Sequence, residues 1–415
     1  RGHQIEVVCS QHGADRAPWE AGVERSLHLT TDFPAPGQRV DRVDFHPASL
    51  ARVSRLNRRL LAPVMDRFQP DLVFAWCLNR LGLAGLQLAQ QRNLPCCYTL
   101  NDEHPRQFRP SPGRGLKARL KRWLERTLWK GSTLASLRPF PVTAISYALR
   151  DRLFDLGVPI AHARIIHQGI PLDNFPFQPL ARQPGQLLRV LYVGQLSQNK
   201  GCHTLLKAFQ DAAVAGGAEL SLVGDGVPDY EQHLKELAAL SPHPERIQFL
   251  GRLPHGEVAR QYRNHHVLVF PSEWEEPFGL THLEAMASGC AVCSTTTGGT
   301  KELIRHEKNA LAYTAGEVTQ LIASLSRIEQ NEELRQQLIL GGRQPDLRGP
   351  RTLDALAALA EAGHVTSEDA AWLTQAYKDL RALEHRAQMI ADDQTHKLPD
   401  SDAERERVAA LWGEG

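Results

Sequence analysis

The sequence has no run of about 18 consecutive apolar residues, so no transmembrane helix is predicted. No signal peptide is visible either. Neither sign of charge dominates: 48 Lys and Arg against 47 Asp and Glu leave a net charge of +1, which argues against a polyanionic partner such as nucleic acid for the chain as a whole. The seven cysteines are odd in number and follow no framework spacing, which points to a reducing compartment, the cytoplasm. Cys290 and Cys293 form C-x-x-C, but no second pair with zinc-ligand spacing accompanies them. They are expected to be buried free thiols, and no metal site is expected. An initial Met is also lacking. The chain opens at Arg1 with R-G-H-Q-I-E-V-V-C-S, already leading into a strand, and is expected to be a piece of something longer.

What is present fits two or three domains: 415 residues, 42% of them hydrophobic. From Leu188 onward, short and nearly continuous apolar runs alternate with helical stretches. The runs are Leu188–Val193, Leu220–Val223, Ile247–Leu250, Val267–Phe270 and Ala291–Thr295. This pattern predicts a parallel sheet covered on both faces, with ligands bound beyond the carboxyl ends of its strands. The first half shows the same alternation less clearly, with strand candidates Ile5–Cys9, Asp71–Ala75, Cys96–Leu100, Val142–Ile145 and Ala163–Ile166. Between the halves, F-P-F-Q-P-L-A-R-Q-P-G (Phe175–Gly185) reads as an exposed linker with three prolines. The expected architecture is α/β: two doubly wound, Rossmann-like domains, 1–175 and 186–342, facing each other across a cleft, followed by a helical segment, 347–415.

The most informative stretch is S-E-W-E-E-P-F-G-L-T-H-L-E-A-M-A-S-G-C-A-V (Ser272–Val292). Glu276 ends a loop that turns through Pro277 and Gly279 into a helix, and Glu284 follows on that helix. The helix start offers free backbone N–H groups at Phe278, Gly279, Leu280 and Thr281, which suit a phosphate. Carboxylates beside such a site accept hydrogen bonds from sugar hydroxyls. Lys200, in the loop after Leu188–Val193, brings an ammonium to the same sheet edge and can neutralise a diphosphate. Each residue has a plainer reading. Lys200 is then a solvated loop lysine, Glu276 an acid favoured by the helix dipole, and Glu284 part of a solvated helix face. Glu273 and Glu275 read as surface acids.

Several blocks fall in order along this framework: I-S-Y-A-L-R-D-R-L, H-Q-G-I-P-L-D-N-F, Y-V-G-Q-L-S-Q-N-K-G, L-V-G-D-G, F-L-G-R-L-P, E-P-F-G-L-T-H-L-E and G-G-T-K-E-L-I. With them, residues 1–342 resemble the retaining GT-B glycosyltransferases whose second domain carries E-x7-E. The resemblance implies transfer of a sugar from a nucleotide diphosphate sugar to a sugar or lipid-linked acceptor, without an obligatory metal. It implies that Glu276 contacts the donor sugar and that Glu284 binds the ribose. Gly194, Gln195 and Lys200 would lie at the diphosphate, and Gly251, Arg252 and Leu253 would hold the base. Gln195 stands where relatives usually carry Arg. Many relatives carry His after the strand that here reads C-C-Y-T-L-N-D-E-H-P. Asn101 and Asp102 occupy that place, Asn101 to bond a sugar hydroxyl and Asp102 to orient the acceptor, or both only to make an Asx-type turn. Gly298 and Gly299 either let the chain pass close to the cleft or make a structural turn. The glycine-rich loop that relatives have after their first strand is not found. A non-catalytic nucleotide-sugar-binding protein is the alternative reading, and a sugar-nucleotide epimerase is disfavoured by the paired glutamates.

Arg114–Gly131 carries Leu116, Leu120, Trp123, Leu124 and Leu128 on one helical face and Lys117, Arg119, Lys121, Arg122, Arg126 and Lys130 around it. Such a helix lies on an anionic membrane surface, here the inner face, or packs ordinarily with a solvated basic face. After Gly342 the pattern becomes helical throughout, with Gly363 ending one helix and Thr366 and Asp369 capping the next. About Leu347 to Gly413, through L-R-A-L-E-H-R-A-Q-M-I-A-D-D-Q-T-H-K-L-P, resembles a helical part of bacterial glutamine synthetase adenylyltransferase. No nucleotidyltransferase domain accompanies it, so no adenylylation is expected. The chain reads as a join of two unrelated genes, or as a fusion with a regulatory tail.

Overall fold

A computed structural model describes residues 4–11, 23–31, 44–342, 366–368 and 371. The chain divides into two units, Arg1–Arg348 and Gly349–Gly415. In the second unit Ser367, Glu368 and Ala371 are helical and exposed. The rest of the helical reading of 347–415, with the cap at Asp369, lies outside the described residues.

The first unit has two α/β lobes. The strands are β1 (Val7–Ser10), β2 (Val23–Leu27), β3 (Val73–Trp76), β4 (Cys96–Leu100), β5 (Val142–Ala144), β6 (Arg164–Ile165), β7 (Leu188–Val193), β8 (Ala218–Val223), β9 (Ile247–Gly251), β10 (Val267–Phe270), β11 (Ala291–Thr295) and β12 (Leu311–Tyr313). The helices are α1 (Pro47–Phe68), α2 (Ala84–Gln91), α3 (Leu116–Thr127), α4 (Tyr147–Asp155), α5 (Cys202–Ala208), α6 (Ala212–Gly217), α7 (Pro228–Ala239), α8 (His255–Asn264), α9 (Leu280–Ser288), α10 (Val318–Gln330) and α11 (Glu332–Gly342).

The second lobe is a six-stranded parallel sheet of order β12-β11-β10-β7-β8-β9. Side chains alternate across a strand, so its continuous apolar runs fill both faces. Val190 and Tyr192 point into one core, shared with α5, α7, α10 and α11. Leu191 points into the other, shared with α8 and α9. Full burial of such a side chain contributes about 1.5–3 kcal/mol. Cys290 and Cys293 are buried free thiols, and burial pushes each up to about 12.

In the first lobe the described strands form a four-stranded sheet, β3-β4-β5-β6, and a separate parallel pair, β1-β2. β2 has no counterpart among the strands expected from sequence. V-E-R-S-L is apolar only at its ends, so it gives no run to read. The stretch expected to be an exposed linker is partly anchored. Phe175 is buried in the second lobe and Phe177 packs on that lobe's other core. Arg182 pairs with Glu329 at 2.7 Å. Phe175 and Phe177, on either side of Pro176, together with Arg182, account for the difference.

The lobes meet at the loop before α9. Phe278, Leu283 and Leu303 of the second lobe join the core of the first. Ser146 caps α4 by accepting from the Leu149 N–H, and its hydroxyl donates to the Pro277 carbonyl at 2.6 Å. Glu302 completes the cap from the other lobe. Its two oxygens accept from the N–H groups of Tyr147 at 3.1 Å and Ala148 at 3.0 Å, and from His167 Nε2 at 2.8 Å. Burial alone would raise the Glu302 carboxyl, but these donors hold it below its ordinary value.

Candidate functional site

Lys200 ends a short 3₁₀ turn, Gln198–Lys200, which Gly201 closes at φ +69. A Cβ on Gly201 would stand 1.9 Å from the Pro271 carbonyl oxygen, so only glycine lets the loop after β7 press on the loop after β10. That contact brings Lys200 Nζ to 2.6 Å from Glu276 Oε1. Ser272 Oγ donates to the same oxygen at 2.6 Å. Glu276 Oε2 accepts from no described group. From behind, Gly298 and Gly299 lie on the backbone of Glu276 and Pro277; a Cβ on either would come within 2.3 Å of the carbonyl oxygen of Glu276 or Pro277 respectively. Both proposed roles of this pair are thus one: they turn the chain so that it can support the Glu276 loop.

The loop has further supports. Thr204 Oγ1 donates to Glu273 Oε1 at 2.9 Å, and His203 Nε2 lies 3.2 Å from the same oxygen. The other ring nitrogen of His203 is 3.0 Å from the Tyr230 hydroxyl. Glu273, read from sequence as a surface acid, is exposed and also ties its loop to α5. Within α9, His282 is buried between Gly279 and Ser294, with Nε2 2.7 Å from Ser294 Oγ. Burial lowers it to about 4, so at neutral pH it is an uncharged brace.

In front of Glu276 lies a cavity of about 420 Å³. Asn101 and Ile145 line it from the first lobe, with Gly194, Gln195, Lys200, Glu276, Phe278, Gly279, Leu280 and Thr281 from the second. Helix α9 begins at Leu280, with Gly279 as its cap. The N–H groups of Phe278, Gly279, Leu280 and Thr281 donate to no described acceptor. The Thr281 hydroxyl and both polar atoms of the Asn101 amide are buried without a partner as well. A buried polar group left dry costs about 1–3 kcal/mol. This concentration of unspent donors and acceptors is suited to a ligand rich in hydroxyls and anionic oxygens.

The remaining candidates lie elsewhere. Asp102 turns to His104, accepting from its N–H at 2.8 Å and standing 2.7 Å from its Nδ1, the Asx-type turn that was the alternative reading. Glu284 is on α9 facing α8, where its Oε2 accepts from the Tyr262 hydroxyl at 2.8 Å and its Oε1 is 3.8 Å from His255 Nε2. Gly251 ends β9, Arg252 is exposed, and Leu253 packs on the lobe's core. His255 connects this block to Glu284, forming a second cluster on the same sheet edge. Sequence reasoning assigned no role to Thr281 Oγ1, Ser272, His203, His167 or Glu302. Of these, all but His203 sit inside stretches already singled out, which is the signal the sequence offers.

Residues 180–344 match the family Glycosyl transferases group 1, and residues 1–169 match the Glycosyl transferase 4-like domain. Residues 314–415 match the GlnD PII-uridylyltransferase family. A glycosyltransferase of Methanocaldococcus jannaschii, itself uncharacterized, is 34% identical over 122 residues, 29% of this chain and 30% of that protein. The bifunctional glutamine synthetase adenylyltransferase/adenylyl-removing enzyme of Caulobacter vibrioides is 90% identical over 80 residues, 19% of this chain. The match spans only 8% of that relative's length. Among solved structures, sucrose-phosphate synthase from Thermosynechococcus elongatus superposes with a TM-score of 0.60 at 22% identity, covering 92% of this chain and 90% of its own. The Anabaena protein HepE, in complex with UDP and glucose, gives 0.55 at 19% identity, covering 78% and 84%. The first lobe described above thus matches a glycosyl transferase 4-like domain and the second a group 1 glycosyltransferase domain, on a GT-B framework, and the carboxyl-terminal segment matches adenylyltransferase sequence.

Proposed function

We propose that the first unit transfers a sugar from a nucleotide diphosphate sugar to a hydroxyl acceptor, with retention at the anomeric carbon. The bond from that carbon to the diphosphate breaks, and the acceptor oxygen bonds to the carbon on the same face. The diphosphate leaves with the acceptor's proton. The observation that carries this reading is the set of unpartnered groups around the cavity. The N–H groups at the start of α9, aided by the helix dipole, receive phosphate oxygens. Lys200 gives one of its three N–H bonds to Glu276 and keeps the others for the diphosphate, so the proposal includes no obligatory metal. Glu276 Oε2 and the Asn101 amide take sugar hydroxyls. Glu284 and the Gly251–Leu253 block take the nucleoside.

The HepE complexes hold UDP and UDP-glucose, which makes uridine nucleotides the first to try here. A thermal-shift screen with UDP, GDP and ADP sugars tests the reading. Binding at about 100 times the dissociation constant stabilises by about 2.7 kcal/mol, so one donor class should raise the melting temperature well above the others. No shift with any nucleotide sugar would end the proposal.

A further inference from the structure

Helix α3 is attached to the first lobe by its polar side. The one buried residue in Leu116–Thr127 is Glu125. Its carboxylate accepts from the Ser111 N–H at 3.1 Å and from the Ser111 hydroxyl. Arg122 donates to the carbonyls of Ser111 at 3.0 Å and Gly113 at 2.7 Å. The apolar side faces away from the lobe: Leu116 is 82% exposed, Leu120 57%, Trp123 56% and Leu128 63%. These residues form one stripe along the helix. Arg114, Lys117, Arg119, Arg126 and Lys130 flank it, exposed and without an ion pair among the described residues. Glu125 is the only acid between Arg114 and Gly131, and its carboxylate is spent on Ser111, so the outer face is apolar and cationic with no negative charge.

We propose that α3 seats the protein on an anionic lipid surface, with the Leu116–Leu120–Trp123–Leu128 stripe in the boundary between headgroups and acyl chains and the flanking cations on lipid phosphates. Binding of this kind needs both features at once, apolar area and basic charge. A soluble polyanion would use the cations and leave the stripe in water.

The test is co-sedimentation of the full chain with phosphatidylcholine vesicles, with and without phosphatidylglycerol, which needs no turnover. The protein should pellet with the anionic vesicles and stay in solution with phosphatidylcholine alone. Trp123 emission should shift to the blue on binding, a change absent in Trp123→Phe. The double variant Leu120→Ser/Trp123→Ser should partition about tenfold less or worse. Both side chains are exposed, so its melting temperature serves as the folding control. Undiminished vesicle binding by the double variant, or equal binding to neutral vesicles, would overturn the proposal. So would heparin binding without vesicle binding, which means an acidic macromolecule, or self-association lost in the double variant, which means a second copy of the chain.

Discussion

The carboxylate of Glu276 divides its two oxygens: Oε1 holds Lys200 and Ser272, while Oε2 accepts from no described group, and the residue lines the cavity. Charge at a fixed place beside the reacting carbon is what transition-state stabilisation requires. Glu276→Gln keeps the shape and removes the charge. It is expected to lower transfer by about 10²-fold or more while circular dichroism stays unchanged. Wild-type turnover in that variant would remove Glu276 from the chemistry. Lys200→Ala should weaken binding of a nucleoside diphosphate far more than binding of the nucleoside, measured by calorimetry. Equal losses would place Lys200 away from the phosphates. That both side chains lie on the carboxyl edge of one sheet was legible in the sequence, from the apolar runs that precede their loops. Their mutual pairing at 2.6 Å was not, since it depends on two loops meeting at Gly201 and Pro271. Glu273 and Asp102 show the same limit: whether an acid faces solvent, a neighbour or a ligand is decided by chain segments distant in sequence.

At the scale of elements, α9 and α4 share a design. Each presents a helix amino terminus toward the cleft, but only the α4 end is filled, by Glu302 from the opposite lobe. The α9 end is left open to the cavity. The Glu302 carboxyl is held below its ordinary value, so its contribution is present at neutral pH and is lost as pH falls through and below 4.5. Hydrogen bonds to a charged group contribute about 1.5–3 kcal/mol. Glu302→Gln should therefore lower the melting temperature near neutral pH, and the gap from wild type should close in acid. A gap that is constant with pH would mean that the contact does not depend on the charge. Five of the six strands in the second lobe's sheet were readable because they are nearly continuous apolar runs; β12, three residues long, was not. β2 was not, having too few apolar residues, and the anchored linker was hidden by its prolines.

At the scale of the molecule, two lobes with a site between them precede, in sequence, a carboxyl-terminal unit that matches a different family. Every residue placed at the cavity lies between Asn101 and Thr281. Removing Leu347–Gly415 is thus expected to leave nucleotide affinity unchanged in a chain that still folds. A folded truncation that has lost affinity would make the tail part of the donor site. The central claim is that the groups around the cavity turn over a nucleotide sugar. Its most direct test is phosphorus NMR of the full chain with the donor chosen by thermal shift, followed in time beside the Glu276→Gln variant. The expected result is conversion of the donor to free nucleoside diphosphate by the wild type and about 10²-fold less by the variant. A donor that binds and stabilises the protein yet stays intact would contradict the claim and leave a nucleotide-sugar-binding protein in its place.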